Sequence, residues 1–381
     1  MEFGWTKEQR DLRKGAISFA KQENPENIEE LDRESTFLHE RWRTYAEFGA
    51  QGITAPESLG GQELDFLSCV AVMEGLGYGA KDSGLLFSIN AHIWSFVEPL
   101  VTFGSEEQKT KYFPGACDGS TIGVHAMTEP GSGSDALNLT TTAELVGDYY
   151  VINGSKTFIT NGEIADAVLV FVKTKNSDAE NDKISAIIVE RGTPGFTVSK
   201  NITKMGLRTS PFNELFFEQC QVPRENLVGE EGMGEMIFNH AMDGERAFIL
   251  ATQIGLMEKQ LEDCTDYARK RKQFGKSISE FQSVSNMLAE MKVNLEAARM
   301  LVYKVGWLKS KGRNAYQDSS IAKLFVSECS VKNSMFAMKI HGGYGYTCDY
   351  KYERQLRDSM GGLFYSGTSE IMKNIIAELL E

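Results

Sequence analysis

The chain has 381 residues, a formal net charge of −13 and a hydrophobic fraction of 41%. This length exceeds one hydrophobic core, so we expect two or three domains packed together. The acidic balance argues against a nucleic-acid partner, which would need clustered basic residues to neutralise its phosphates.

The cysteines and histidines give no sign of a metal site. Six cysteines are scattered along the chain without a CxxC pair, and five histidines are isolated from one another. This pattern predicts neither a zinc ribbon nor a disulfide framework, and it favours a reducing, cytoplasmic location. No run of eighteen apolar residues is present and the first residues lack a signal-peptide pattern, so we expect no membrane insertion.

The first part of the chain, residues 1–119, has a helical pattern. Apolar residues recur at three-to-four spacing at Leu12, Ala16, Phe19 and Ala20. Thr6 and Gln9 have the spacing of a capping box, which predicts that a helix begins here. The apolar run from Phe87 to Phe96 predicts a buried helix.

The middle part, residues 120–226, has the period of two that is typical of strands. Strands are predicted at Tyr149–Ile152, Ala167–Val172 and Ile184–Val189. The polar, acidic segment from Asn176 to Lys183 predicts an exposed hairpin loop rather than a binding site. Residues 120–226 therefore form a small β domain in this interpretation.

The helical period returns in residues 227–381. One apolar stripe continues for more than twenty residues, at Val284, Met287, Leu288, Met291, Leu295, Ala298, Leu301, Val302 and Val305. Such a stripe predicts the core of a helical bundle, with a subunit interface as the alternative.

Two stretches of the middle part have the composition of a cofactor seat. Met127–Asp135 combines glycines, hydroxyl side chains and a proline, although a run of this kind taken alone is also typical of a solvated linker. In Asn153–Gly162, Phe158 and Thr160 alternate with apolar Ile159, as on a strand. Together the two stretches could place an aromatic ring and hydrogen-bond donors along a planar cofactor.

These stretches resemble the flavin-facing segments of the acyl-CoA dehydrogenase family, and the resemblance continues from about Phe3 to the C-terminus. It implies an α+β fold with an N-terminal helical domain, a central β-barrel domain and a C-terminal four-helix bundle. It also implies bound FAD and assembly as a homotetramer. The cofactor contacts implied in this region are Met127, Thr128, Gly133, Ser134, Phe158, Ile159 and Thr160.

The family resemblance also identifies a catalytic base. Many members carry a glutamate in a Tyr-Glu-Gly-Thr sequence near the C-terminus, where this chain has Ser366, and a serine hydroxyl is too weak a base for the work. Another branch of the family carries its base on an earlier helix, and Glu245 matches that position. The structural alternative for Glu245 is a surface carboxylate paired with Arg246 or Lys259.

The resemblance places further residues near the substrate. Asp243 and Arg246 match positions that contact substrate or orient the base, and Ser134 matches a contact to the pantetheine arm. The backbone N–H of Ser366 is expected to hold the thioester carbonyl as an oxyanion hole does. Small side chains at Ser366 and Gly367 leave room for a branched or cyclic acyl group.

More cofactor contacts are implied in the C-terminal part. They are Arg271, Gln273, Phe274, Gln282, Lys339, Gly342, Gly343, Thr368 and Glu370. Lys339 departs from the family pattern, which has glutamine there in many members, but an ammonium near a diphosphate is electrostatically acceptable. The glycines of Gly342–Gly345 lack the GxGxxG spacing of a Rossmann fingerprint, so a nicotinamide cofactor is not expected.

The sequence therefore predicts FAD-dependent α,β-dehydrogenation of an acyl thioester. The specific hypothesis is a prolyl thioester on a carrier protein, and the alternative is a short branched-chain acyl-CoA such as isovaleryl-CoA. Electrons would pass to an electron-transfer flavoprotein or to oxygen, as in an oxidase. A family member without catalytic activity, retained for assembly or binding, is the alternative from a different functional class.

Overall fold

The computed structural model describes residues 5–174 and 183–380. The loop predicted for residues 176–183 lies outside these ranges, except for Lys183, where a strand begins. Helices precede and follow a central group of strands. The predicted α+β class and the predicted order of elements are therefore confirmed.

Helices make up the first part of the chain. In chain order they are α1 Lys7–Gln22, α2 Ile28–Glu34, α3 His39–Glu47, α4 Phe66–Gly79, α5 Ser83–His92, α6 Glu98–Phe103 and α7 Glu106–Asp118. The capping box at the start of α1 is present, because Thr6 and Gln9 each accept a hydrogen bond from the backbone N–H of the other. The capping box satisfies two N–H groups that the first turn of a helix leaves without intrahelical partners.

The buried helix predicted near Phe87–Phe96 is also present, with an irregularity in its middle. The chain passes from α5 through a π-helical turn, Ile93–Val97, directly into α6. All five side chains of this turn are buried. A π-helical turn shifts the side chains that follow it around the helix axis, and such turns are frequent at functional sites.

The strands form one eight-stranded mixed sheet. They are β1 Gly123–Ala126, β2 Thr142–Val146, β3 Tyr149–Thr160, β4 Ala167–Thr174, β5 Lys183–Glu190, β6 Phe196–Val198, β7 Phe212–Pro223 and β8 Leu227–Val228. The order is β6-β7-β3-β2-β4-β5-β8, and β1 pairs in parallel with β4. Pairing of β3 with β7 is interrupted between Lys156 and Ile159, where β3 bulges.

Strand β4 is buried on both faces, which explains its nearly continuous apolar sequence. Val168 and Val170 point into one hydrophobic core, which also contains side chains of both helical regions. Leu169 and Phe171 point into a second core on the opposite face, with Phe96 of the π-helical turn. The sheet is therefore covered by apolar side chains on both sides.

The C-terminal part is helical apart from a short hairpin. Its elements are α8 Gly234–Phe248, α9 Ala251–Lys270, β9 Lys272–Gln273, β10 Lys276–Ser277, α10 Gln282–Ser310, α11 Tyr316–His341, α12 Gly343–Tyr346, α13 Tyr352–Met360 and α14 Ser369–Glu378. The predicted stripe of α10 faces the protein interior, and Met291, Leu295, Ala298, Val302 and Val305 are buried. Among the described residues, no helix has both the length and the apolar character that crossing a membrane requires.

Close packing joins the two helical regions. A Cβ atom added at Gly77 of α4 would lie 2.0 Å from the carbonyl oxygen of Thr252 in α9, so these helices approach to a distance that only glycine permits. Nearby, the fully buried carboxylate of Glu74 accepts hydrogen bonds from Arg299 and from the Tyr303 hydroxyl. Since a buried charge is costly without partners, this pairing fixes α4 against α10.

Candidate active site

Glu245 lies inside the molecule on α8 and is only 7% exposed. Two serine hydroxyls hold its carboxylate from opposite ends of the chain. Ser95 Oγ donates to Oε2 over 2.7 Å, and Ser366 Oγ donates to Oε1. Glu245 is therefore not a surface carboxylate, which is the alternative to a catalytic role. Lys259, its expected partner in that alternative, pairs with Asp263.

The loop that carries Ser366 has an unusual backbone. Ser366 has φ of +55° and Gly367 has φ of +98°, both in the left-handed region. A serine in this region is uncommon and is maintained only when its surroundings fix it. The backbone N–H of Ser366 donates to no acceptor within the described residues, so it remains available to a ligand. Thr368 then caps α14 by accepting from the N–H of Ile371.

Asp243 and Arg246, both predicted near the substrate, differ in their surroundings. Lys309 Nζ lies 2.7 Å from Oδ2 of Asp243, so the charge of this carboxylate is already paired. Arg246 is buried, and its guanidinium lies 5.0 Å from the ring centre of Tyr316. Its Nε and Nη1 atoms have no hydrogen-bond partner within the described ranges. Arg246 therefore has unused donors, and Oδ1 of Asp243 also lacks a partner within the described ranges.

A strand that enters the first glycine-rich stretch carries a histidine near Glu245. His125 on β1 packs edge-on against Phe171 and Phe238, with ring centres 5.5 and 6.0 Å away. Phe238 precedes Glu245 by seven residues on α8, so the two side chains share one helix face. Burial lowers the pKa of His125 below its usual value, and the nearby Glu245 carboxylate opposes this shift.

The two stretches predicted to seat the cofactor lie side by side. The backbone N–H of Thr157 donates to the carbonyl of Thr128 over 2.9 Å. The alternation predicted along β3 is present, since Ile159 is buried while Phe158 is 58% exposed and Thr160 is half-buried. The exposed ring of Phe158 results from the bulge in β3, where this residue has φ of +60°.

A buried ion pair supports the first stretch from beneath. Lys156 Nζ donates to the carbonyl of Met127 over 3.0 Å and to the carboxylate of Glu129 over 2.9 Å. The same carboxylate accepts hydrogen bonds from the backbone N–H groups of Thr140 and Thr141. Burial alone would raise the pKa of Glu129, but the hydrogen bonds from Lys156 and the two threonines lower it to about 2.

The remaining predicted cofactor residues form separate groups. Arg271, Gln273, Phe274 and Gln282 lie around the hairpin between α9 and α10, and Phe274 is 94% exposed. A second group lies where α11 passes into α12 and consists of Lys339, Gly342 and Gly343. This group is near the hairpin, because His341 packs on Tyr267 at the end of α9, just before the hairpin begins. Thr368 and Glu370 begin α14. In the described parts of the chain, no hydrogen bond joins the hairpin group to the stretch beginning at Met127.

Comparison with known protein families identifies the fold. Residues 6–120, 125–220 and 232–380 match the models of the acyl-CoA dehydrogenase N-terminal, middle and C-terminal domains, respectively. The chain belongs to the acyl-CoA dehydrogenase family. Enzymes of this family are FAD-dependent oxidoreductases that act on acyl thioesters, and so is this protein.

Individual acyl-CoA dehydrogenase relatives are similar over nearly the whole chain. An acyl-CoA dehydrogenase of Bacillus subtilis (strain 168) is 40% identical over 98% of both chains. The L-prolyl-[peptidyl-carrier protein] dehydrogenase of Serratia sp. is 35% identical over 100% of this chain and 98% of its own. The crystal structure of the prolyl acyl carrier protein oxidase AnaB has a TM-score of 0.97 and 46% identity, covering 99% of this chain and 100% of that one.

The first cofactor group fits a large planar ring system. Apart from the glycines themselves and their chain neighbours, no described atom lies within 4 Å of the positions where Cβ atoms would stand on Gly131 and Gly133, so the backbone can be approached closely there. The phenyl ring of Phe158 is exposed beside this loop and stacks on Phe212 at 5.5 Å. An exposed aromatic ring next to a stretch of backbone that a ligand can approach closely is suited to a flavin.

The Glu129–Lys156 pair provides a test of how this loop is held. Glu129→Gln leaves the Lys156 ammonium buried without its counter-charge, and we expect a loss of about 3–5 kcal/mol in the free energy of unfolding at neutral pH. Because the folded-state pKa is about 2, below the unfolded value of 4.5, the carboxylate stabilises the wild type above pH 4.5. This contribution disappears as the pH falls towards 2.

Urea unfolding of both proteins between pH 3 and pH 7 measures this effect. The wild type should lose stability as the pH falls, and Glu129→Gln should show a flatter dependence. Glu144→Gln, on the exposed part of β2, is the matched control and should behave as the wild type. Equal stability of Glu129→Gln and the wild type at pH 7 would contradict a supporting role for the pair.

Proposed function

We propose that this protein oxidises a prolyl group held as a thioester on a carrier protein, with Glu245 removing the α-proton. The observation that carries the proposal is the buried Glu245 carboxylate, which accepts hydrogen bonds from Ser95 and Ser366. The substrate assignment is supported by similarity to AnaB, a prolyl acyl carrier protein oxidase, at 46% identity. The relative from Serratia supports the same substrate class.

Glu245 is suited to be the base for two reasons. Its carboxylate is fixed by hydrogen bonds to both oxygens, so little reorganisation is needed before it accepts a proton. The common C-terminal position of the base holds Ser366, whose hydroxyl donates to this carboxylate instead. FAD, when bound, supplies the acceptor for the hydride that leaves Cβ.

The negative charge that develops on the thioester oxygen also needs a partner. The backbone N–H of Ser366 supplies one donor in this proposal, since no described residue accepts from it. A fixed N–H aimed at developing charge stabilises an enolate as an oxyanion hole does. The positive φ of Ser366 would then be the cost of turning this N–H towards the substrate.

The wider setting of the reaction is proposed from the same resemblance. The enzyme would work as a homotetramer in the cytoplasm and pass electrons to an electron-transfer flavoprotein or to oxygen. All six cysteines are free, which agrees with a reducing compartment. The exposed hairpin around Phe274 would contribute to binding the adenosine diphosphate part of FAD. Ser134 would contact the pantetheine arm, and Asp243 and Arg246 would contact the substrate or orient the base.

Replacement of the base tests the mechanism. Glu245→Gln preserves the side-chain shape but removes the charge that accepts the proton. The purified variant should retain FAD, while the rate of flavin reduction by substrate should fall at least about a hundredfold. Stopped-flow absorbance under anaerobic conditions measures this rate.

The matched control is Glu235→Gln, which changes an exposed glutamate on the same helix. It should reduce flavin at the wild-type rate. If Glu245→Gln also reduced flavin at that rate, another group would have to be the base.

The substrate is tested by offering two thioesters to the wild-type enzyme. Prolyl-loaded carrier protein should reduce the flavin, and mass spectrometry should show a product that has lost two or four hydrogens. Carrier protein without the prolyl group serves as the control and should leave the flavin oxidised. Flavin reduction by isovaleryl-CoA alone would contradict the carrier-protein proposal and favour a short branched-chain acyl-CoA substrate.

A further inference from the structure

Ser95 stands out in the helical segment that covers the base. It occupies the centre of the π-helical turn, between the apolar pairs Ile93-Trp94 and Phe96-Val97. The side chain is 6% exposed and donates its only hydroxyl proton to Glu245. A hydroxyl oxygen also accepts hydrogen bonds, so Ser95 Oγ keeps acceptor capacity directly beside the Glu245 carboxylate.

His125 is a second buried polar group near Glu245 with unused hydrogen-bonding capacity. Its Nδ1 atom is buried and has no hydrogen-bond partner in the ranges that the structure describes. The ring lies against Phe238, on the face of α8 that carries Glu245. Buried polar atoms in native proteins are nearly always paired, so one that lacks a protein partner points to a ligand group or to water.

These two groups bear on which acyl group binds beside the base. A hydrocarbon acyl group would cover the Ser95 oxygen and the His125 nitrogen without pairing them, which disfavours its binding. A cyclic α-amino acyl group differs because its ring nitrogen is bonded to Cα, the carbon that gives up its proton to Glu245. The nitrogen therefore lies one bond from the reacting carbon, and Ser95 is hydrogen-bonded to the carboxylate that takes the proton from that carbon.

We propose that Ser95 accepts a hydrogen bond from the ring N–H of the substrate and thereby selects α-amino acyl thioesters over carbocyclic ones of the same shape. This inference rests on the proposed function, because it concerns the acyl group that Glu245 deprotonates. The bond would form a continuous path from the substrate nitrogen through Ser95 to the carboxylate. Selectivity of this kind follows because a site with a polar group discriminates strongly against an analogue that leaves it unpaired.

A simpler role for Ser95 would be to hold the Glu245 carboxylate in place without contacting the substrate. The structure provides a control residue that distinguishes this role from substrate recognition. Ser366 makes the same type of bond to the other carboxylate oxygen. A change that only loosens the base should affect all acyl groups alike. The ratio of kcat/KM between two substrates therefore separates recognition from anchoring, whereas the absolute rate does not.

The experiment compares prolyl and cyclopentanecarbonyl groups loaded on the same carrier protein, since these rings differ only by nitrogen in place of a CH2 group. The wild type should favour the prolyl group. Ser95→Ala should reduce the kcat/KM ratio at least about tenfold, as expected for one hydrogen bond to a charged or strongly polar group. Ser366→Ala should slow both substrates and leave the ratio unchanged. Product formation by mass spectrometry gives the rates.

The outcomes separate this inference from the proposed function. A wild-type enzyme that oxidised the prolyl group, with the same ratio in Ser95→Ala, would overturn the role of Ser95 and leave the proposed function standing. A wild type inactive on the prolyl group would overturn both. If Ser95→Ala did not retain flavin, Ser95→Cys would decide, because sulfur keeps the shape but accepts hydrogen bonds weakly, and it should also reduce the ratio.

Discussion

The carboxylate of Glu245 is the point at which the N-terminal and C-terminal parts of the chain meet. Ser95 reaches it from the N-terminal helices and Ser366 from the loop before the last helix, while Glu245 itself lies on α8, the first helix of the C-terminal part. A buried carboxylate must be paired or hydrogen-bonded, so the hydroxyls that stabilise its charge also fix the relative positions of these segments. In the proposed mechanism, the same hydrogen bonds orient the carboxylate for removal of the α-proton.

The loop after β1, which is predicted to seat the cofactor, depends on a comparable arrangement. Glu129 and Lys156 are both buried, and Lys156 also binds the carbonyl of Met127, so the ion pair sets the path of the loop that follows β1. A buried pair contributes less to stability than its Coulomb attraction suggests, because both charges lose their hydration. The main effect of the ion pair is to fix the loop that contains Gly133 in position beside Phe158.

Much of this could be predicted from the sequence, for reasons that are physical. The apolar stripe of α10 and the capping box at Thr6 are local patterns, and local patterns determine helices. The serine at position 366 directed attention to Glu245. Ser95 could not be found in this way, because a single serine in an apolar run is ordinary, and its contact with Glu245 is made from a π-helical turn that the sequence does not indicate. Lys156 was also missed, since nothing local indicates that a lysine on a strand is fully buried.

The burial of β4 on both faces was likewise not predicted, although its unbroken apolar sequence was a signal. The stretch from Ala167 to Val172 was interpreted as an ordinary strand of period two, but consecutive residues point into two different cores. Where the cofactor residues lie relative to one another also depends on tertiary structure. The hairpin carrying Phe274 and the loop after β1 are separate in this chain, which no local pattern could reveal.

Proton removal at Cα can be observed apart from oxidation, and this measurement tests the central claim most directly. The enzyme is first reduced anaerobically so that no hydride acceptor is available, and it is then incubated with prolyl-carrier protein in deuterium oxide. Mass spectrometry should find deuterium at Cα with the wild type and none with Glu245→Gln. Equal incorporation by the two proteins would contradict the assignment of Glu245 as the base.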